Sequence, residues 1–114
     1  MSSRNWKDRI RDILEAISEI ESFVSGMDFD TFSKDDKTIR AVEMNFIIIG
    51  EAANSIPDEI EAKNPKIPWN LMRGMRNRIV HAYFTVDPQL MWETIHKDFP
   101  AVVPSLKNLL EENM

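Results

Sequence analysis

The sequence of 114 residues contains no cysteine, only three glycines and a single tyrosine. Without cysteine the chain forms neither a disulfide nor a thiolate metal site, which suits a reducing cytoplasm. Its longest strictly apolar run, Phe46 to Ile49, is too short to span a bilayer. The N-terminus carries charges throughout and lacks the apolar segment of a secretory signal. We therefore expect a cytoplasmic protein with no membrane segment.

The composition is that of an ordinary globular protein, with 43% hydrophobic and 29% charged residues. A chain of this length has room for one core, so we expect a single domain over residues 1–114. The net charge of −5 argues against non-specific coating of nucleic acid but leaves room for a local anion site.

Positive charge is concentrated in one stretch of this acidic chain. Between Ala62 and Val86 there is no acidic residue. The basic residues of that stretch are Lys63, Lys66, Arg73, Arg76 and Arg78. The stretch thus carries +5, and the rest of the chain carries −10. Its centre reads R-x4-H-x-Y, from Arg76 through His81 to Tyr83, which makes it the prime candidate for an anion-binding site.

The same stretch fits an amphipathic helix that starts at Pro68, since proline is favourable in the first turn. Its predicted apolar stripe consists of Met72, Met75 and Ile79, extended by Leu71 and Ala82. Arg76 and Tyr83 share one line of the other side, and Asn77 and His81 form an i,i+4 pair. Because Arg76 and His81 diverge by about 140° on a helix, either a phosphate lies between them or a second copy of the helix completes the site.

Three segments of the chain resemble the HepT-like toxins of the HEPN superfamily. They are GEAAN (Gly50 to Asn54), IPW (Ile67 to Trp69) and GMRNRIVHAYF (Gly74 to Phe84). The resemblance implies an all-α fold, an antiparallel bundle of four to five helices that forms a homodimer. It also implies a metal-independent endoribonuclease without a cofactor, encoded beside a minimal nucleotidyltransferase antitoxin.

The resemblance assigns roles residue by residue. Arg76, Asn77 and His81 match the ribonuclease motif, whose two copies meet across the homodimer in this family. Tyr83 matches the tyrosine that the antitoxin adenylylates. Ala82 stands where the commonest family pattern has glycine, a small change that leaves the motif intact.

The chemistry of these side chains agrees with those roles. A histidine that titrates near neutrality can take a proton from an RNA 2′-hydroxyl or give one to a leaving oxygen. The planar guanidinium of Arg76 can stabilise the charge that grows on the phosphorus centre. Neither step requires a metal ion.

Other residues near the motif keep two interpretations each. Asn77 either orients His81 or caps local backbone. Arg73 and Arg78 either contact the RNA backbone or lie on a solvated surface. An acid beside an apolar helix, Glu51 either pairs with an arginine of the motif or serves at the dimer contact.

The remaining histidine and the tryptophans favour structural roles. His96 lies near Glu93 and Lys97 on a helix surface, and the two histidines give no metal-ligand spacing. The tryptophans are better explained by core packing than by stacking on bases. They are Trp6, Trp69 and Trp92.

Apolar periodicity predicts the helices around this stretch. The first helix carries apolar residues from Trp6 to Val24 and ends at Ser25-Gly26. A loop follows over residues 27–36, with Ser33 and Asp36 as a capping box. A second helix runs from about Lys34 to Ile56, is stopped by Pro57, and is apolar enough to lie centrally or to contact a second subunit. One or two helical turns follow over Asp58 to Lys63.

The last helical region begins with Asp87 as N-cap and Pro88 at the first position. Its predicted inner face consists of Leu90, Met91, Ile95, Phe99, Val102, Val103, Leu106 and Leu110. Pro100 should interrupt or kink this region, and Pro104 adds a candidate second bend.

Two functions from different classes account for these features. The first is an RNA-cleaving toxin, which the intact pair of Arg76 and His81 favours. The second is a non-enzymatic HEPN module that docks a nucleotidyltransferase and positions its substrate. A DNA-binding helical protein is a weaker third interpretation, because the chain is acidic outside one stretch.

Overall fold

Helices account for all the regular secondary structure in the computed structural model, which describes residues 5–81 and 87–113 apart from the side chains of Val80 and His81. They are α1 (Trp6–Phe23), α2 (Phe29–Lys34), α3 (Asp36–Asn54), α4 (Asp58–Lys63), α5 (Trp69–His81), α6 (Pro88–Glu93) and α7 (Phe99–Glu112). A π-helical segment, Thr94–Asp98, joins α6 to α7. The predicted all-α bundle is confirmed.

Helix α3 lies at the centre of the bundle, where it packs against both α1 and α5. Its core residues recur at helical spacing and are fully or almost fully buried: Val42, Phe46, Ile49 and Ala53. They belong to the same core as a similar stripe on α1, formed by Ile10, Ile13, Ile17 and Ile20. The helical interpretation of the apolar run Phe46 to Ile49 is therefore correct, and α3 ends at Asn54, close to the predicted stop.

The end of α1 follows the sequence prediction. Val24 caps the helix, and Gly26 has a φ of +79°, which reverses the chain. A left-handed backbone suits glycine because it has no Cβ to clash.

The segment after this turn differs from the prediction. It forms α2 instead of a loop, because Asp28 accepts a hydrogen bond from the Thr31 N–H at 2.8 Å and Phe32 is completely buried. The predicted capping box of Ser33 and Asp36 is also wrong, since Asp35 caps α3 by accepting from the Thr38 N–H at 3.1 Å.

These hydrogen bonds lower the pKa of both capping carboxylates. The backbone N–H of Thr31 lowers the pKa of Asp28, and the N–H of Thr38 lowers that of Asp35, because each bond favours the charged form. A charged acceptor at an N-cap also interacts favourably with the helix dipole.

The start of α6 matches the sequence prediction, with Pro88 as its first residue and Asp87 accepting from the Gln89 N–H at 2.9 Å. The inner face of this region is mostly as expected. Buried there are Met91, Ile95, Phe99, Val102 and Leu106. Leu90 is 49% exposed, so its assignment to the core was wrong, and Leu109 is buried instead.

Pro100 interrupts the regular helix as predicted, and the π-helical segment is the form that the interruption takes. The Phe99 N–H donates to the carbonyl of Thr94, five residues back. Proline has no N–H, and its ring clashes with the carbonyl four residues earlier in a regular helix. A widened turn before Pro100 places it in the first turn of α7, where no such partner is required. Helix α7 then continues through Pro104.

Among the described residues, no helix combines the length and the apolar character that crossing a membrane requires.

Candidate functional site

The position of α5 is set by its first residue. Trp69 is 5% exposed, and its indole N–H donates to the carbonyl of Asn64 at 3.0 Å. This bond ties the start of α5 to the turn that follows α4. The predicted start of the motif helix at Pro68 is correct to one residue.

The apolar stripe of α5 packs into the core as predicted. Met72, Met75 and Ile79 are buried, and Leu71 is half-buried against the same core. Ala82, the last member of the predicted stripe, lies outside the described residues. The stripe orients α5 so that Asn77 and Arg78 are exposed and Arg76 is half-buried.

At Gly50, α3 lies very close to the motif helix α5. A Cβ added at Gly50 would meet the Cβ of Arg76 and would lie 2.9 Å from its backbone nitrogen. Real side chains do not tolerate such distances, so the approach of α5 to α3 requires glycine here. The Gly50 position thereby brings the backbone of Arg76 directly against α3.

The next residue of α3, Glu51, holds the side chain of Arg76. The distance from Arg76 Nε to Glu51 Oε1 is 2.7 Å. The Nε atom itself is buried, and its contact with Glu51 is an ion pair and not an aligned hydrogen bond. Of the two roles that the sequence left open for Glu51, pairing with a motif arginine is the one that the structure contains.

The Nη end of the Arg76 side chain contacts the next residue of the chain, Asn77. Arg76 Nη1 donates to Asn77 Oδ1 at 3.2 Å, and a third of the Arg76 side chain remains exposed. Asn77 therefore contacts the guanidinium, a contact that neither sequence-based interpretation of Asn77 included.

The other two arginines of α5 differ in their surroundings. Arg73 forms an ion pair with Glu61 of α4 and donates to Asn70 Oδ1 at 3.0 Å. Arg78 is exposed and forms no ion pair with the residues that the structure describes. Contact of Arg73 and Arg78 with RNA stays a prediction, and Arg73 also has a structural role that links α4 to α5.

His81 is the last residue of α5, so one continuous helix carries both Arg76 and His81. The side chain of His81 and the whole of Tyr83 lie outside the described residues. Their catalytic and acceptor roles therefore stay predictions.

Comparison with known proteins decides the family. The family described as Ribonuclease HepT-like matches residues 13–112. The chain belongs to the HepT-like ribonuclease family. The resemblance inferred from the motif segments is thereby confirmed.

Similar proteins cover almost the whole chain. The "Probable ribonuclease HepT" of Thermococcus cleftensis is 42% identical over 109 residues, which is 96% of both chains. The "Putative RNase" of Caldanaerobacter subterraneus subsp. tengcongensis is 36% identical over 100 residues, or 88% of this chain and 89% of the relative. A "Putative RNase" of Methanocaldococcus jannaschii is 30% identical over 112 residues, which is 98% of this chain and 93% of the relative. No solved structure matches the chain.

The residues that sequence reasoning assigned to structural roles in this HepT-like chain are placed accordingly. His96 is exposed, and its ring packs at a tilt of 39° against Trp92 with centroids 4.1 Å apart. Its Nδ1 lies 2.9 Å from the Trp92 carbonyl oxygen. Trp69 is buried, whereas Trp6 and Trp92 are half-buried against the core. In the part of the chain that the structure describes, no three acidic or histidine side chains are grouped to hold a metal ion.

Sequence reasoning missed Gly50 as part of this HepT-like site, although it quoted the segment that contains it. Periodicity describes one helix at a time, so it cannot show which residue of α3 faces Arg76. The one available signal was that Gly50 interrupts an apolar helix interior, where glycine is unfavourable unless another backbone approaches closely.

Proposed function

We propose that this protein is the toxin of a HEPN–nucleotidyltransferase toxin–antitoxin pair. Acting as one domain over residues 1–114, it cleaves RNA as a metal-independent endoribonuclease. The observation that carries the proposal is the arrangement of Arg76, which lies on the same helix as His81. Its guanidinium contacts Glu51 of α3 and Asn77 of α5. Membership of the HepT-like ribonuclease family and the ribonuclease names of the relatives support it.

The proposed reaction is an attack by the RNA 2′-hydroxyl on the neighbouring phosphate. His81 removes the hydroxyl proton while the new O–P bond forms. The bond from phosphorus to the 5′-oxygen then breaks, and that oxygen receives a proton. The products are a 2′,3′-cyclic phosphate and a 5′-hydroxyl. Arg76 stabilises the additional negative charge of the phosphorane through its N–H groups.

A homodimer supplies the groups that one copy lacks. The reaction removes one proton and delivers another, and two copies of His81 provide one group for each transfer. Arg76 and His81 of a single helix point about 140° apart. Pairing the motif helices across a two-fold axis brings the residues of both copies into one cleft.

The antitoxin inactivates the protein by adenylylating Tyr83. On a helix, Tyr83 would lie on the line of Arg76, about 20° away and two turns along. An AMP group there places bulk and phosphate charge near the guanidinium that RNA requires. Inactivation then needs no unfolding, and it outlasts dissociation of the antitoxin.

Cleavage of total RNA in the presence of EDTA tests the enzymatic proposal. We expect wild type to cleave, and His81→Ala and Arg76→Ala to lose activity while remaining folded. Arg76→Lys should restore little, because an ammonium group does not present two coplanar donors. Arg11→Ala, which removes an exposed arginine of α1, is the control and should cleave like wild type.

The chemical nature of the ends adds a second measurement. Mass spectrometry should find cyclic phosphates and 5′-hydroxyls at the cut sites. Full toxicity of His81→Ala would show that the catalytic assignment is wrong, and it would favour the non-enzymatic module that docks a nucleotidyltransferase. Inhibition by EDTA would contradict metal independence.

A further inference from the structure

We propose that Glu51 is a positioning residue: it orients the guanidinium of Arg76 through Nε and leaves the Nη groups to bind the scissile phosphate. This inference rests on the proposed function, in which Arg76 stabilises the phosphorane. It assigns a role in the reaction to a residue of α3, outside the R-x4-H-x-Y segment of α5.

The geometry of arginine makes Nε the atom through which a contact best fixes the orientation of the guanidinium. The guanidinium is planar, so an anion held at Nε restricts rotation of the whole group about the end of the side chain. Glu51 Oε1 lies 2.7 Å from this atom, and Nε is buried. The same plane is held at a second point, where Nη1 donates to Asn77 at 3.2 Å.

Burial differs along the Arg76 side chain in a way that suits this role. Nε is inaccessible, yet the side chain as a whole is 33% exposed. A phosphate approaching from solvent therefore cannot bind at Nε, the atom that Glu51 contacts, which leaves the Nη groups as its donors. Bidentate binding of phosphate by a guanidinium needs such a pre-oriented pair of donors.

The pair of Glu51 and Arg76 contributes little to the stability of the fold. The Glu51 side chain is 57% exposed, and ion pairs with an exposed partner contribute little to folding. The pair of Arg73 and Glu61 provides a contrast, because both side chains are mostly buried and they connect α4 to α5. The chain thus contains a second arginine–glutamate pair whose arginine also lies on α5, and this pair serves as the control.

Charge and orientation predict opposite effects for removal of the Glu51 carboxylate. If Glu51 only neutralised Arg76, its loss would make the site more positive, and cleavage would stay equal or increase. If Glu51 positions Arg76, its loss frees the guanidinium to rotate, and the rate of the chemical step falls. A misplacement of 1 Å costs about 10²-fold in rate.

The experiment compares kcat and KM for a short fluorescent RNA. Glu51→Gln should lower kcat about 10- to 100-fold, with KM unchanged or lower because a negative charge is removed. Glu51→Asp keeps the charge on a shorter side chain and should restore part of kcat. Glu61→Gln should leave kcat unchanged. The melting temperature of Glu51→Gln should fall by less than about 4 °C.

NMR of the arginine side chains provides a measurement that does not depend on activity. In wild type, the Arg76 Nε–H signal should be resolved and slow to exchange with solvent, because this atom is buried against a carboxylate. In Glu51→Gln it should broaden or exchange rapidly, whereas in Glu61→Gln it should not change.

The outcomes separate this inference from the proposed function. A kcat of Glu51→Gln equal to or above that of wild type overturns the positioning role, provided that Arg76→Ala is inactive. A wild-type protein that cleaves no RNA refutes the proposed function instead. The NMR comparison then decides on positioning alone, and an unchanged Arg76 Nε–H signal in Glu51→Gln rejects it.

Discussion

The arginines of α5 show that the net charge of a sequence segment differs from the charge that its folded surroundings leave unpaired. The stretch from Ala62 to Val86 carries +5, but two of its arginines are paired with acids from other helices, Arg73 with Glu61 and Arg76 with Glu51. A count along the sequence includes only the stretch itself. The count thus overestimated the positive charge that would be available to a phosphate in this region.

The adenylylation of Tyr83 is a prediction at this scale. Co-expressed with the nucleotidyltransferase in the presence of ATP, wild type should gain the mass of one or more AMP groups. Tyr83→Phe should gain none and should escape neutralisation, because the substitution removes the acceptor oxygen with little loss of packing. Intact-mass spectrometry and growth assays measure the two effects.

The composition makes this test sharp, because Tyr83 is the only tyrosine of the chain. The control is that Tyr83→Phe must still cleave RNA, since an inactive mutant would escape neutralisation trivially. An AMP group mapped to a serine or threonine, with Tyr83 unmodified, would show that the acceptor was assigned wrongly.

At the scale of elements, two glycines in helices have opposite surroundings. Gly50 of α3 faces the backbone of Arg76, whereas a Cβ at Gly74 of α5 would meet nothing within 4 Å. The first glycine therefore permits a helix contact. The second lowers the stability of its helix without a visible packing reason in the described residues.

We expect the two alanine substitutions to change stability in opposite directions. Gly50→Ala should destabilise the fold by about 1–3 kcal/mol, as overpacked cores do, and should displace α5 from α3. Gly74→Ala should stabilise by up to about 1 kcal/mol through helix propensity. Urea unfolding followed by circular dichroism measures both values. Equal effects of the two substitutions would contradict the close packing at Gly50.

Long helices could be predicted from the sequence because their apolar residues repeat over many turns. The segments α1, α3 and α5 were found in this way, and the N-cap at Asp87 followed from the adjacent Pro88. Helix α2 was missed because six residues are too few for a period to show. Contacts between helices, such as Gly50 with Arg76, depend on how helices pack and leave no periodic trace.

At the scale of the whole molecule, exposed apolar residues of α3 offer a surface for association with a second copy. Its core face is covered by α1 and α5, yet Met44 is 57% exposed and Ile48 is 37% exposed. The two residues are one turn apart, and Glu51 follows on the same side of the helix. An exposed apolar stripe thus leads along α3 toward the side chain of Arg76.

We predict a homodimer that places the motif helices near its two-fold axis and covers this stripe. Light scattering at micromolar concentrations should give twice the mass of the chain. Met44→Lys should weaken association, because it introduces a charge where a second copy packs. Leu90→Lys is the matched control on α6, since Leu90 is 49% exposed and lies outside the stripe.

A monomeric mass for wild type would contradict the homodimer. Equal weakening by Met44→Lys and Leu90→Lys would contradict the assignment of its surface to α3. If two copies share one site, RNA cleavage measured across the same concentrations should fall as the protein dissociates.

The contact at Gly50 also changes how a genome survey should judge chains that carry R-x4-H. A motif search inspects one helix, whereas the room for its arginine is provided by a different helix earlier in the chain. A copy with an intact motif but a bulky residue in place of Gly50 would have to push its motif helix outward. We expect such copies to be decayed nucleases despite their complete motif, and checking both helices together would separate them from working toxins.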